Sequence, residues 1–175
     1  DGAGNFIDAG AGLIGVQDGS VDWGDYDNDG DMDLALTGYD AAGVPFAIVY
    51  RNDGGGAFTD IGAALIPVGL SEAVWGDYDN DGDLDLALAG RDAAANPVTR
   101  LFQNNGGVFM DSGVPFVLAD SCLMAWGDYD YDADLDLVVA GAAGGIDSTI
   151  LYDNQLAVFP NTGVAFTGVS NGDVA

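Results

Sequence analysis

The feature that most constrains the fold is an eleven-residue acidic segment that occurs three times at nearly constant spacing. It reads WGDYDNDGDMD from Trp23, WGDYDNDGDLD from Trp75 and WGDYDYDADLD from Trp126. The tryptophans are 52 and 51 residues apart, and phenylalanine and asparagine landmarks between them keep the same phase. Self-similarity at a fixed period is typical of a repeat architecture, in which each repeat is one unit of supersecondary structure.

Within each repeat, short apolar or β-branched runs alternate with glycine-rich turns. In the first repeat these runs cover residues 20–23, 34–37 and 46–50, with a last one around Phe58, and Gly38 is expected to end the second run. The corresponding last runs lie around Phe109 and Phe159. No sustained helical periodicity occurs. The pattern predicts an all-β fold with about four antiparallel strands per repeat, each of four to six residues, which is the size of one β-propeller blade.

The repeats predict a single tandem-repeat domain over residues 1–175, divided at approximately 1–52, 53–104 and 105–153, with a partial fourth repeat at 154–175. Residues 168–175 align with residues 15–22, so the fourth copy stops just before its acidic segment. A propeller ring requires four or more blades. We therefore expect an incomplete propeller or part of a larger array, in which further repeats or other copies of the chain cover the open edges.

Composition excludes several classes of function. The chain has 29 acidic and three basic residues, a net charge of -26 and no histidine. Nucleic-acid binding needs a basic footprint, and anionic membrane surfaces would repel this chain. Zinc sites of cysteine or histidine and a Ser-His-Asp triad are excluded, and Cys122 is expected to be a small buried residue. No apolar run predicts a membrane span or a signal peptide. We predict a non-catalytic protein.

The acidic segments have the ligand spacing of a calcium loop. Numbered from Asp25, carboxylates fall at positions 1, 3, 5 and 9, Gly30 is at position 6, and Asp31 at position 7 would offer its carbonyl. Calcium takes six to eight oxygen ligands, whereas magnesium demands tighter geometry and is the second choice. An EF-hand would need Glu at position 12, where this chain has Leu36. A solvated acidic turn is the simpler alternative, but turn chemistry does not require five alternating carboxylates.

The repeated pattern WGDYDNDGDLDLxLxG, at about 50-residue spacing over essentially the whole chain, resembles the FG-GAP/VCBS repeats of integrin α-subunit-like propellers. The resemblance implies β-propeller blades with calcium in the loop between the first and second strands, in an extracellular or cell-surface setting. Members of the family serve in adhesion, in carbohydrate binding and as accessory domains of secreted proteins. Carried over by position, the metal ligands are Asp25, Asp27, Asp29, Asp31 and Asp33; Asp77, Asp79, Asp81, Asp83 and Asp85; and Asp128, Asp130, Asp132, Asp134 and Asp136.

The third loop departs from this pattern. Ala133 replaces the glycine at position 6, and Tyr131 replaces the asparagine at position 4. If position 6 needs a positive φ, alanine there costs roughly 1 kcal/mol or more. We therefore expect about three calcium sites, with the third weaker yet occupied at extracellular calcium levels.

These observations predict an extracellular, calcium-stabilised repeat protein with a structural, adhesive or assembly role. The alternatives are a lectin-like carbohydrate-binding module, which would use loops such as residues 39–45 and 91–97, and an accessory domain of a larger secreted protein. A glycan or protein is the expected ligand. The aromatic residues of the repeated segments are expected to pack between neighbouring blades rather than to bind a ligand; they are Trp23, Trp75, Trp126, Tyr26, Tyr78 and Tyr129.

Overall fold

The computed structural model describes residues 4, 6–117, 120–143 and 146–167. Within them the chain forms twelve β-strands in three four-stranded antiparallel sheets, and no helix. The predictions of an all-β chain and of antiparallel strands in groups of four are therefore confirmed. The described part of the chain has no helix with the length and apolar character needed to cross a membrane.

In every sheet, the strands lie side by side in the order in which the chain makes them. The first sheet contains β1 (Val21–Gly24), β2 (Asp33–Tyr39), β3 (Pro45–Asn52) and β4 (Phe58–Asp60); the second contains β5 (Gly69–Gly76), β6 (Asp85–Arg91), β7 (Pro97–Asn105) and β8 (Val108–Asp111); the third contains β9 (Asp120–Gly127), β10 (Asp136–Ala143), β11 (Ile146–Tyr152) and β12 (Asn161–Thr167). The register repeats as well, because Leu34 pairs with Tyr50, Leu86 with Phe102 and Leu137 with Tyr152.

The hydrophobic core lies mainly between successive sheets. Strand β5 packs against β1 and β2 of the first sheet, and β9 packs against β5 and β6 of the second. Residues from both sides meet in each layer, such as Tyr26, Trp75 and Phe109 in the first and Tyr78, Met124 and Phe159 in the second. Cys122 is buried in the second layer, as expected for a small apolar residue. Each sheet therefore depends on its neighbour for burial.

Several strands are longer than the predicted four to six residues, and the glycine expected to end the second strand lies inside that strand. Gly38 pairs with Phe46 and Gly90 pairs with Val98. A Cβ atom at Gly90 would lie 2.7 Å from the Cβ of Ser71, and one at Gly38 would lie 2.9 Å from the carbonyl oxygen of Gln17. These glycines allow a close approach of another backbone segment, which is a recognised use of glycine within a strand.

The last strand of the third sheet is also displaced from its predicted position. The sequence places it around Phe159, whereas β12 begins at Asn161. Pro160 has no N–H to donate to the ladder, and proline is confined to strand edges and ends for that reason. Phe159 instead lies in the core against Tyr78, Phe116 and Trp126.

The sheets do not coincide with the repeats as divided from the sequence. The first sheet takes β4 from residues 53–104, the second takes β8 from residues 105–153, and the third takes β12 from the partial fourth repeat. The remainder of that partial repeat, residues 168–175, lies outside the described residues.

Candidate metal centres in three acidic loops

Each acidic segment forms the loop between the first two strands of its sheet. The loops cover residues 25–32, 77–84 and 128–135, and the ninth-position aspartate begins the following strand. This aspartate is buried in all three sheets, as Asp33, Asp85 and Asp136. Burial of an ionised carboxylate is costly unless it is paired or hydrogen-bonded. The structure therefore buries the ninth-position carboxylate of each loop at the root of the loop, where the loop meets the second strand of its sheet.

Two backbone N–H groups hold each buried carboxylate. Asp33 accepts hydrogen bonds from the N–H of Tyr26 at 3.1 Å and of Asn52 at 2.7 Å. Asp85 accepts from Tyr78 at 3.1 Å and Asn104 at 2.8 Å. Asp136 accepts from Tyr129 at 3.0 Å and Asn154 at 2.8 Å. The same carboxylate thus fastens its loop to the end of the third strand in the first two sheets, and to the segment just after the third strand in the third sheet.

The first-position aspartate folds the loop around itself. Asp25 accepts hydrogen bonds from the N–H groups of Asp29 and Gly30, both at 3.0 Å. Asp77 accepts from Asp81 at 3.1 Å and Gly82 at 3.0 Å. In the third loop, Asp128 accepts from Asp132 and Ala133, both at 3.2 Å. These bonds curl each loop so that alternating carboxylates turn toward a common centre.

Three carboxylates of each loop come close enough to share one ion. Each contributes one oxygen, and the three oxygens lie within 4.8 Å of one another. Positions 1 and 3 take part in every loop, whereas the third member is position 5 in the first loop and position 9 in the other two. The groups are Asp25, Asp27 and Asp29; Asp77, Asp79 and Asp85; and Asp128, Asp130 and Asp136. The three-carboxylate groups do not include Asp33, Asp81 or Asp132.

The second loop also contains an orphaned buried oxygen. Oδ2 of Asp79 accepts a hydrogen bond from the Gln103 side chain at 2.6 Å. The other oxygen, Oδ1, is buried and has no hydrogen-bond partner. A buried polar atom without a partner usually points to a missing water or ion. Because the neighbouring groups are carboxylates, the donor set fits a hard cation such as Ca²⁺.

Burial, with a contribution from nearby charge, raises the pKa values of the carboxyl groups of Asp33 and Asp85, which lie at the roots of the first two loops. Burial is the main cause that raises the pKa of Asp85 to about 7; the backbone N–H groups of Asn104 and Tyr78 act against it, and the charges of Asp79 and Asp81 add to it. Burial also raises the pKa of Asp33. A cation in the loop would favour the ionised form and would therefore lower these pKa values.

Two positions of each loop have positive φ, and the third loop lacks the residues that suit them. At position 6, φ is 94° for Gly30 and Gly82 and 76° for Ala133. At position 4, φ is 58° for Asn28 and Asn80 and 65° for Tyr131. Glycine and asparagine tolerate this region, whereas other residues with a Cβ atom are strained in it. The sequence identified the strain at position 6 and missed the one at position 4.

The loops are tied to one another by the position 4 asparagines. The Asn28 side chain donates to Oδ1 of Asp83 at 3.0 Å and to the Gly82 carbonyl at 3.2 Å. Asn80 likewise donates to Oδ1 of Asp134 at 2.7 Å. These bonds draw the position 7 side chain toward the preceding loop.

Sequence reasoning missed a group of buried asparagines that connect the sheets. The Asn104 side chain donates to the carbonyl of Tyr26 in the first sheet at 2.8 Å and to that of Leu84 at 3.0 Å. Asn154 donates to Tyr78 of the second sheet at 2.6 Å and to Leu135 at 3.1 Å. The sequence feature that could have identified them is their recurrence at the same position of each repeat, as Asn52, Asn104 and Asn154.

The repeated aromatic residues lie between sheets where a neighbouring sheet is present. The rings of Tyr26 and Trp75 stack with centroids 6.2 Å apart, and Phe109 lies 5.7 Å from the Tyr26 ring. Trp23 and Tyr129, on the outer sides of the first and third sheets, are 53% and 48% exposed. The predicted packing role therefore holds for the inner members of the set.

Comparison with known proteins identifies a fold relative and no family. No family model matches the sequence, and no curated protein matches it. Among solved structures, the chain is similar to an Agrocybe aegerita lectin described by its specific recognition of non-reducing terminal N-acetylglucosamine, with a TM-score of 0.53 and 21% identity. The match covers 86% of this chain and 38% of the lectin chain. At this identity the likeness concerns the fold, and this chain spans less than half of the lectin.

Proposed function

We propose that this protein is a non-catalytic, extracellular carbohydrate-binding module, built from β-propeller blades that calcium ions stabilise. The observation that carries the carbohydrate-binding role is the similarity of fold, over 86% of the chain, to a lectin that recognises terminal N-acetylglucosamine. A lectin fold relative favours this role over the structural or adhesive role that the sequence suggested first. The same proposal retains the resemblance of the acidic loops to FG-GAP/VCBS repeats.

The arrangement of the sheets supports the assignment as propeller blades. Each sheet has four antiparallel strands in chain order, which is the construction of a blade. The first strand of one sheet packs against the first two strands of the sheet before it, β5 against β1 and β2 and β9 against β5 and β6, while β4 and β8 lie at sheet edges. Blades that radiate from an axis meet in this way, through their inner strands.

The loop geometry supports calcium as the ion. Three carboxylate oxygens converge in each loop. The Oδ1 atom of Asp79 is a buried acceptor without a hydrogen-bond partner, which a cation could satisfy. Calcium, when bound, supplies positive charge that neutralises the clustered carboxylates and fixes the loop. Around it, Asp25, Asp77 and Asp128 would act as ligands while accepting backbone N–H groups with the same carboxylates. In the second and third loops, the buried ninth-position aspartates Asp85 and Asp136 would connect the ion to the sheet.

Thermal unfolding with and without calcium tests the metal assignment. Binding to the folded state alone stabilises it by about 2.7 kcal/mol per site when the free ion is at 100 times the dissociation constant. We expect the melting temperature to fall sharply in chelator and to recover with added calcium. A melting curve that chelator leaves unmoved would overturn the calcium proposal without touching the carbohydrate one.

Glycan binding is tested separately, with a glycan array followed by calorimetry on N-acetylglucosamine-terminated sugars in calcium buffer. The candidate contact loops are the hairpin loops 40–44 and 92–96, which Asp40 and Asp92 stiffen by accepting two loop N–H groups each. We expect Asp40→Ala and Asp92→Ala together to weaken binding. Asp60→Ala is the matched control, because it removes a similar bond to Gly62 in a different turn. An array without any bound glycan would refute the carbohydrate role.

A structural or adhesive role is the second candidate. It is favoured by the metal centres themselves, which lie at the same point of three successive sheets and are linked by Asn28 and Asn80. Linked metal centres of this kind would stabilise a stack of sheets without any bound glycan or protein. A calcium-stabilised protein that binds no glycan would fit this second role.

A further inference from the structure

We propose that the protein associates head to tail with a second copy of itself. The tryptophan face of the first sheet, formed by Trp23, Asn52 and Phe58, docks on the glycine face of the third sheet, formed by Gly127, Tyr129 and Val138. The inference does not depend on the calcium or carbohydrate assignments. It follows from two interfaces that the chain already makes between its own sheets.

Each internal interface seats a tryptophan on a buried glycine of the preceding sheet. A Cβ atom at Gly24 would lie 2.8 Å from the Trp75 ring, and one at Gly76 would lie 2.7 Å from the Trp126 ring. These distances are shorter than a carbon atom permits. Glycine is therefore required wherever the tryptophan of a following sheet is seated.

Two hydrogen bonds accompany each seated tryptophan. The Trp75 indole N–H donates to the carbonyl of Asp22 at 3.2 Å, and the Trp126 indole N–H donates to that of Val74 at 3.4 Å. The following sheet also sends one asparagine to the tyrosine carbonyl of the preceding sheet, as Asn104 does to Tyr26 at 2.8 Å. The acceptors are backbone atoms, so the pattern does not depend on the residue that carries them.

The two outer faces of the chain are the unmatched halves of this interface. On the third sheet Gly127 is exposed, and a Cβ atom there would meet nothing within 4 Å. Tyr129 is 48% exposed, whereas its counterparts Tyr26 and Tyr78 are buried. A shallow cleft lined by Trp126, Gly127, Tyr129 and Val138 marks the place of the missing ring. On the first sheet, Trp23 is 53% exposed and its ring lies 6.1 Å from that of Phe58.

A second copy supplies the partner for each half. In the register of the internal interfaces, Trp23 of one copy sits on Gly127 of the other, with its indole N–H directed to the carbonyl of Ala125. The Asn52 amide donates to Met32 at 3.1 Å and has a second N–H available, which would reach the Tyr129 carbonyl. The equivalent residues Asn104 and Asn154 use both N–H groups in this manner.

One contact of the internal interfaces is replaced. Position 4 of the third loop is Tyr131, which is 92% exposed, where Asn28 and Asn80 bind the following loop. At the junction between copies, Tyr131 would lie against the first acidic loop of the partner and could donate its hydroxyl to Asp31. The side chain differs, while hydrogen-bond donation to a position 7 carboxylate is retained.

Light scattering on the purified chain tests the proposal, in calcium buffer at about 150 mM salt so that repulsion between the acidic surfaces is screened beyond ~8 Å. We expect a concentration-dependent mass that is a multiple of the 17.8 kDa chain. Gly127→Ala places a methyl group where Trp23 would sit, and we expect it to reduce the mass to that of a monomer. Its melting temperature at low concentration should be unchanged, because the site is open and its φ is not positive.

Complementation distinguishes this head-to-tail contact from any other association. Trp23→Ala removes the other half of the interface and should also yield monomers. A mixture of the two variants retains one intact pair of faces, Trp23 from the Gly127→Ala chain and Gly127 from the Trp23→Ala chain. We expect the mixture to form a one-to-one dimer that neither variant forms alone.

Three results would overturn the proposal. The first is a wild-type monomer at every concentration, which would leave the faces to another occupant such as a further repeat. The second is association that Gly127→Ala does not change. The third is a mixture of folded variants that remains monomeric.

Discussion

The third acidic loop allows the energetic cost of a positive φ at position 6 to be measured. Ala133 occupies position 6 with φ of 76°, where Gly30 and Gly82 have φ of 94°. A residue with a Cβ atom pays about 1–2 kcal/mol in the left-handed region. Replacing alanine by glycine also costs about 0.5–1 kcal/mol of stability, because glycine loses more conformational entropy on folding. Ala133→Gly should therefore gain about 1 kcal/mol, which is ~5-fold in an equilibrium constant.

Where this gain is measured depends on when the loop becomes ordered. If the loop is ordered without calcium, the free energy of unfolding in chelator rises by the full amount. If the ion orders the loop, the gain is a tighter calcium dissociation constant at the third site. Calorimetric titration with calcium and denaturant unfolding in chelator measure the two parts, and we expect them to sum to about 1 kcal/mol. Tyr131→Asn, at φ of 65°, should add a similar gain.

The reverse substitution provides the matched control. A Cβ atom at Gly82 would have no neighbour within 4 Å, so Gly82→Ala changes the backbone energy and no packing. We expect a loss of at least 1 kcal/mol, because φ of 94° lies further from the left-handed minimum near +57°. Ala133→Gly and Gly82→Ala variants that both match wild type in calcium affinity and in stability would refute the reasoning.

Three further predictions address the buried groups of the loops. In chelator, stability should fall as pH rises from about 4 to 7, because folding raises the pKa of Asp85 from 3.8 to about 7 and the folded state then binds the proton more readily. After a discount for solvent screening, we expect a fall of ~2 kcal/mol. Denaturant unfolding at pH 5 and pH 8 measures the slope, calcium should reduce it, and a rise in stability with pH would contradict the assignment. Asn104→Ala should lower the free energy of unfolding by about 2–4 kcal/mol, because it leaves the Tyr26 and Leu84 carbonyls and the Gly107 N–H without partners. Asn52→Ala is the control and should lower it less, because the Asn52 side chain makes no bond to another sheet. Equal losses in denaturant unfolding would argue against the inter-sheet bond. Gly24→Ala should destabilise the monomer by at least 1–3 kcal/mol through overpacking against Trp75, in contrast to a neutral Gly127→Ala, and thermal unfolding of both variants at low concentration decides the point.

The repeat made most of the fold predictable from the sequence. The three in-phase segments and the spacing of apolar runs predicted strands in groups of four, and the four strands of the first sheet lie within a few residues of the predicted runs. The errors came from side-chain and backbone details that a period does not encode. Gly38 and Gly90 resemble strand terminators in sequence, but they serve a close contact inside the strand. The strand β12 begins directly after Pro160, which has no N–H to donate to a ladder.

The candidate sites were predictable at the level of residues and less so at the level of roles. The fifteen aspartates lie in the predicted loops, and nine of them form the three close groups. The sequence treated Asp33, Asp85 and Asp136 as equivalent ligands, whereas only the latter two join the close groups and all three are held by backbone N–H groups. Partners such as Gln103, which binds Asp79 from a different strand, depend on the sheet register and carry no local signature.

The buried asparagines give the three acidic loops a physical means of influencing one another. The Tyr26 backbone donates its N–H to Asp33 and accepts from the Asn104 side chain at its carbonyl, and the Asn104 backbone N–H donates to Asp85. The Tyr78 backbone connects Asp85 to the Asn154 side chain in the same way, and the Asn154 backbone N–H donates to Asp136. An ion that immobilises one loop therefore lowers the entropic cost of ordering the next, which is positive cooperativity in the thermodynamic sense. We expect calcium titrations with a Hill coefficient above one, and a coefficient closer to one in Asn104→Ala. In a head-to-tail assembly, Asn52 would carry the same coupling from one molecule into the next.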